Sequence, residues 1–194
     1  MGANNGTKVA ALAPKAGGGV YWAPLGTELP TDASTPLPAA FKCLGAVSDD
    51  GVKPGRDTKT DKVKEWDGST LANLLTDESR SFEFTLLSAL DPDVLNFVFS
   101  PENVIVTPAT TTSGTKTAVM DKGGKPEQGV LVLEMKFGSK KLRKIAPVAD
   151  PVINGEEPYK KDGLTGYGVE VEALKDDTNV RVYEYSEDSD KLAA

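Results

Sequence analysis

The sequence predicts a mainly β fold: a two-sheet β-sandwich or barrel with one short flanking helix, an extended N-terminal arm and a long polar hairpin loop. Three observations predict it. Apolar and polar residues alternate over 81–87, 130–137 and 167–173, the period-two signature of strands with one buried face. Only one segment, residues 91–101, carries both start and stop signals of a helix. The 19 glycines and 13 prolines among 194 residues cut the remainder into short extended runs. One helix among about ten strands is a β-sheet protein with an appended helix.

Residues 1–40 read as an arm. They hold Gly17-Gly18-Gly19, Pro24, Pro30, Pro36 and Pro38 with few spaced apolar residues, too little to bury a core alone. Yet Val20, Tyr21, Trp22 and Leu25 are costly to leave in water, so the arm is either a loose terminus or a segment that buries Tyr21 and Trp22 on a neighbour. The β domain spans 41–185, and its first strand is expected at 41–47. A polar span follows over 48–66, turning at Asp49-Asp50-Gly51 and Lys53-Pro54-Gly55-Arg56. Its part 58–66 is extended and almost wholly polar, the limb of a long hairpin. Its mixed charges are either a solvated face or an intersubunit contact, with Lys53, Arg56, Lys59, Lys62, Lys64 and Trp66 as the contact candidates. Residues 70–76 fit a helix or a strand, and Asp77-Glu78-Ser79 is expected to turn into the next strand, where Phe82, Phe84 and Leu86 share one face. Asp91 is an N-cap, Pro92 suits the first helical position, Asp93 favours the positive helix end, and Pro101 stops the helix.

After the helix the chain is all β: strands at 103–107 and 116–121 around a Thr-rich loop, then 130–137, with Leu131, Leu133, Met135 and Phe137 on one side and Val130, Val132, Glu134 and Lys136 on the other. Gly138-Ser139 turns into 140–148; Tyr167, Val169, Val171 and Ala173 alternate with Gly168, Glu170 and Glu172; the last strand is 180–185, and 186–194 is an acidic tail. Lys136, Lys140, Lys141, Arg143 and Lys144 surround the 138–139 turn, either as a solvated tip or as a partner for acidic surface on a second copy.

Composition excludes several chemistries. Histidine is absent, so there is no Ser-His-Asp triad, Cys-His pair or imidazole metal site. The single Cys43 permits no intrachain disulfide and reads as an inert core thiol. The net charge of −7 disfavours binding nucleic acid through the overall field. No apolar stretch approaches the length of a membrane span, and residues 9–13 are too short for a signal-peptide core. The acid pairs Asp49/Asp50, Glu156/Glu157 and Asp176/Asp177 are adjacent in turn-rich segments, where they point apart and stay solvated, not facing across a cleft. Asp188 and Asp190 lack the spacing of a calcium loop, and no Lys-Ser/Thr follows the glycine run. No catalytic residue, cofactor or metal site is expected.

Two segments carry a resemblance. The first runs Trp66-Asp67-Gly68-Ser69-Thr70, then Asp77-Glu78-Ser79-Arg80-Ser81-Phe82-Glu83-Phe84-Thr85-Leu86, then Asp91-Pro92-Asp93-Val94-Leu95. The second is Pro158-Tyr159-Lys160-Lys161-Asp162-Gly163-Leu164-Thr165-Gly166-Tyr167-Gly168-Val169-Glu170-Val171-Glu172-Ala173, leading to Asp176-Asp177. In order and spacing the chain resembles the major tail protein (tail-tube protein) of long-tailed bacteriophages, especially of actinobacteria, and Tyr21-Trp22-Ala23-Pro24-Leu25-Gly26-Thr27 is similar to the N-terminal arm of such proteins. The likeness covers most of 20–180, without the separate C-terminal immunoglobulin-like domain of some members.

The resemblance implies two packed sheets flanked by a helix, and hexameric rings stacked into a hollow virion tail tube that conducts DNA on ejection. It implies no catalysis and no cofactor. The implied partners are further copies of the chain, the tape-measure protein, tail terminator and tip proteins, and double-stranded DNA in passage, with no membrane insertion. Under it Glu83, Glu134, Glu170 and Glu172 are lumen candidates, each standing on the polar side of an alternating strand, with outer solvent as the alternative. Tyr21, Trp22, Leu25, the five cations of 53–64, Trp66, Lys140, Lys141 and Arg143 are intersubunit candidates. A tail-terminator or completion ring protein, and a monomeric β-sandwich ligand-binding module, are the alternative functions.

Overall fold

The structure, a computed structural model, describes residues 13–14, 19–155, 157 and 163–188. About half of the chain, 51%, is strand, and the described residues form two sheets with one short helix and no closed barrel. The expected mainly β fold is therefore present.

Eleven strands are described: β1 (Ala13–Pro14), β2 (Val20–Pro24), β3 (Lys42–Cys43), β4 (Lys53–Lys64), β5 (Thr70–Leu86), β6 (Val104–Thr107), β7 (Lys116–Val119), β8 (Gly129–Phe137), β9 (Lys140–Asn154), β10 (Tyr167–Leu174) and β11 (Tyr183–Glu187). The helix α1 is Pro92–Phe99. The main sheet runs β3-β2-β8-β9-β10-β5-β4, with β1 on β8 and β11 on β9, and every pairing is antiparallel. β6 and β7 form a separate ribbon.

The long strand β9 organises the sheet. Residues Lys140–Ala149 pair with β8, β11 lies along the first part of the other edge, and β10 lies along Val148–Asn154. Between the pairs Gly129↔Ala149 and Leu131↔Ala146 the ladder shifts by one extra residue on β9, which bends that strand against β8. β8 is buried on both faces. Leu131 and Leu133 join the main core with Phe82, Phe84, Leu86, Val169 and Val171, while Val130 and Val132 join a second core with Ala23, Phe41 and Ile145. One-sided alternation therefore describes the inner end of β5 and β10 but not β8.

α1 closes the main core. Asp91 caps it by accepting from the Asp93 amide at 2.9 Å, and Val94, Leu95, Phe97 and Val98 are buried. Phe97 meets Trp22 edge-on at 4.8 Å between centroids, and Phe99 meets Tyr167 at 5.7 Å. Ser100, at φ 67°, ends the helix before Pro101.

Four sequence expectations are corrected. Within the expected arm, Val20–Pro24 is an interior strand paired to β8 and β3 of its own chain, with Val20 and Ala23 buried. The short apolar run Val20-Tyr21-Trp22 is enough, because β8 offers a ready ladder. Residues 41–47 give only the two-residue β3 and a bridge from Val47 to Leu86. Asp77-Glu78-Ser79 does not turn: 70–86 is one strand, kept extended through these residues by cross-strand pairing to β4. Cys43 lies half-buried at the sheet's edge and not in the core. The rest of the arm (1–12 and 15–18), the motif residues 158–162 and the tail residues 189–194 lie outside the described residues.

A compact chain of this mass exposes roughly 9,000 Å². This one exposes 12890 Å². The β4–β5 hairpin is one place where the surplus lies.

Candidate functional site

Three of the four glutamates expected on one face share it. Along β10 the side chains of Tyr167, Val169, Val171 and Ala173 turn to the core, leaving Glu170 and Glu172 exposed; along β5 the same alternation leaves Glu83 exposed. Register places Glu83 directly opposite Glu170, and Glu172 between Ser81 and Asp150. Like charges at facing positions destabilise a sheet, so this row costs the protomer energy. Asn154 donates to Glu170 at 3.0 Å, and Lys125 holds Asp150 at 2.6 Å. Beside the row, Glu83, Thr85, Asn154, Leu164, Gly166 and Glu170 line a shallow open cleft of about 400 Å³. Gly168 has to be glycine, because a Cβ there would lie 2.3 Å from the Asn154 carbonyl oxygen.

Glu134 and Arg143 depart from expectation. The 138–139 turn brings them directly opposite on β8 and β9, where they are 6% and 1% exposed. Arg143 Nε donates to Glu134 Oε1 at 3.1 Å, and Nη2 also bonds that oxygen. The rest of the fork reaches back to segment 25–41: Nη1 donates to the Asp32 carbonyl at 2.7 Å and Nη2 to the Thr35 carbonyl at 2.8 Å. Glu134 is thus not a lumen residue of the protomer, nor Arg143 an intersubunit cation. A buried guanidinium needs its donors satisfied, and the coil over the second sheet face supplies the acceptors. There Leu29, Leu37 and Phe41 cover Val130, Val132 and Ile145, with Tyr21, Tyr183 and Tyr185 alongside. Asp32 shapes the coil: hydrogen bonds from the Thr35 hydroxyl and from the Thr35 and Ser34 amides lower its pKa to about 2. In the loop before β11, Asp176 is likewise lowered to about 2, by the Tyr183 hydroxyl and the Val180 amide.

Of the other intersubunit candidates, Tyr21 and Trp22 are half-buried within their own chain, Trp22 against Phe97. This corrects the reading that they need a neighbour. Lys141 pairs with Glu187 at 3.4 Å and Lys144 with Glu184 at 3.0 Å, so β11 supplies the acids expected from another copy; Lys140 is half-buried at the turn and Leu25 is exposed.

The β4–β5 hairpin is exposed along most of its length. Near its base, Arg56 pairs with Glu78 at 2.8 Å and Lys59 with Asp77 at 3.3 Å, and Lys53 faces Glu83. Farther out, Lys62 and Lys64 face the neutral Asn73 and Thr70. Val63, Trp66, Leu71, Leu74 and Leu75 are all exposed there, Trp66 completely. Leu75 faces Thr60 and Leu74 faces Asp61, so apolar side chains stand on both sides of the ribbon. The leucines were missed as contacts because their strand was ambiguous in sequence. Apolar residues displayed on both faces of a protruding ribbon mark a binding surface.

Among the described residues no cluster of three or more acidic or cysteine side chains could hold a metal, and no helix is long and apolar enough to cross a membrane. Residues 1–194 match the family model described as Phage tail tube protein. No curated protein matches the chain.

Proposed function

This chain belongs to the phage tail tube protein family, a structural component of the virion tail, and from that membership we propose that six copies close edge to edge into a ring, and that rings stack into the hollow tube through which double-stranded DNA is ejected. The supporting observation is the acidic face with an unpaired strand border on either side. Its four strands run β9-β10-β5-β4. The outer edge of β4 has no strand partner among the described residues, and neither does the edge of β9 over Asp150–Asn154, where β8 has ended. The four strands alternate in direction, so the β9 of a second copy laid against β4 is antiparallel to it, and closing the ring removes both edges. In that ring Glu83, Glu170 and Glu172 line the bore. A ring carries six times the −7 of one chain, and an acidic wall repels DNA of one negative charge per ~1.7 Å instead of binding it. The β4–β5 hairpin then reaches a copy in the next ring and joins the two rings, burying Val63, Trp66, Leu71, Leu74 and Leu75, with Lys53, Arg56, Lys59, Lys62 and Lys64 along its contact edge. The tape-measure protein and the terminator and tip proteins are the further partners of such a tube.

The test is concentration of the purified chain, followed by negative-stain microscopy and sedimentation. Rings and tubes are expected; a protein that stays monomeric at millimolar concentration refutes the proposal. Single rings that never elongate indicate the terminator role instead.

A further inference from the structure

We propose that the β-bulge at Thr76 is a positioning element that aims the outer half of the β4–β5 hairpin at a copy in the next ring. The inference rests on the reading that the hairpin joins rings. The ladder from Lys53↔Glu83 is regular up to Lys59↔Asp77, and the next pair is Thr60↔Leu75. Thr76 is therefore an extra residue on β5. Its hydroxyl donates to the Lys59 carbonyl at 3.1 Å, supplying a donor at the point where the ladder is interrupted. An extra residue on one strand bends that strand and increases its twist.

The bulge coincides with a change in the ribbon's character. Below it stand the Arg56–Glu78 and Lys59–Asp77 ion pairs, and β5 becomes half-buried from Glu78 onward. Above it, no ion pair is found among the described residues 60–75, and the exposed apolar side chains begin at once with Leu75. The lower half is thus fastened to its own sheet, and the upper half, about 20 Å of ribbon at ~3.4 Å per residue, is offered elsewhere. The bulge sets the angle between the two.

Deleting Thr76 isolates that angle. Thr60 already faces Leu75, so the shortened strand can close the ladder with the same cross-strand pairs and the same residue on each face. Only the direction of the outer half changes. Thr76→Ser keeps both the extra residue and the hydroxyl.

The Thr76 deletion is expected to keep the native melting temperature and to form single rings while losing tubes in sedimentation and negative-stain images, with Thr76→Ser forming tubes normally. Tubes of normal length from the deletion variant overturn the proposal, as does loss of tubes in Thr76→Ser. A Leu74→Asp/Leu75→Asp variant separates the two levels. If it still forms tubes, the hairpin reading itself fails; if it blocks tubes while the deletion variant does not, only the role of the bulge fails.

Discussion

Replacing Arg143 with methionine tests how the coil 25–41 is held to the sheet. The substitution keeps the aliphatic bulk and removes every donor, so Glu134 keeps its 6% exposure but loses its guanidinium. Breaking a buried pair from one side costs about 3–5 kcal/mol. The carbonyls of Asp32 and Thr35 also lose a donor, but they belong to a surface coil that can turn to water. The double variant Glu134→Leu/Arg143→Met removes both charges. It is expected to cost only about 1–3 kcal/mol, mostly the lost fastening of the coil at ~1 kcal/mol per hydrogen bond. At 2–4 °C per kcal/mol for a chain of this size, the single variant should lose roughly 10 °C in Tm and the double variant distinctly less. The assay is urea unfolding followed by tryptophan fluorescence. Trp22, packed on Phe97, reports the core, while the fully exposed Trp66 contributes a constant background. It has to be run where sedimentation shows single protomers, because assembly adds a concentration-dependent term. A single variant within 1 kcal/mol of the native protein, or a double variant less stable than the single, refutes the clamp.

Deleting residues 1–25 removes β2, so the β circular-dichroism signal should be lost; a folded, assembly-defective product would restore the reading of that segment as a pure arm. Asp32 and Asp176 have folded pKa values near 2 against an ordinary 3.8, so the ionised forms favour the folded state. Their stabilisation is present above pH 4 and lost as pH falls from about 4 to 2; the Tm gap between the native protein and Asp32→Ala/Asp176→Ala should shrink over that window, and a gap that widens on acidification contradicts the assignment. Glu170→Lys converts a facing like-charge pair with Glu83 into an attractive one, raising protomer stability by about 0.2–1 kcal/mol. In assembled tails the same change should slow DNA passage, and unaltered ejection kinetics would place Glu170 away from the bore.

What could be read in the sequence follows from how local each signal is. The helix was legible to the residue at its start, since Asp91-Pro92 is both cap and first turn. The inner part of β5, 81–86, and β10 were legible because each buries one face, which alternation reports directly. β8 was half legible: a strand buried on both faces leaves Val130 and Val132 looking like an outward row, and only the coil 25–41 covering them reveals otherwise. The Glu134–Arg143 pair was within reach. The two residues lie equally far from the 138–139 turn, so a tight hairpin has to set them opposite each other, on a strand whose neighbouring positions are apolar on both faces. The strand Val20–Pro24 was not legible as interior, because its partner β8 lies over a hundred residues away. The turn expected at Asp77-Glu78-Ser79 failed for a related reason. Turn-forming residues lose to a ladder when the opposite strand supplies Lys59 and Arg56 as counter-charges.

The outer hairpin also bears on why the protomer needs company. Ordering a residue costs about 1–2 kcal/mol of backbone entropy, and a two-stranded ribbon is at best marginally stable by itself. From Thr60 to Leu75 only Ala72 is even half-buried, so within one protomer burial offsets almost none of that cost. The same stretch keeps five large apolar side chains in water, each able to yield about 1.5–3 kcal/mol on full burial. Cost and unused gain lie in the same sixteen residues, just beyond a bulge, on the edge strand of an acidic sheet. A second copy is the partner that can recover this energy without a new surface having to be built, because every copy presents both the ribbon and the two open strand edges.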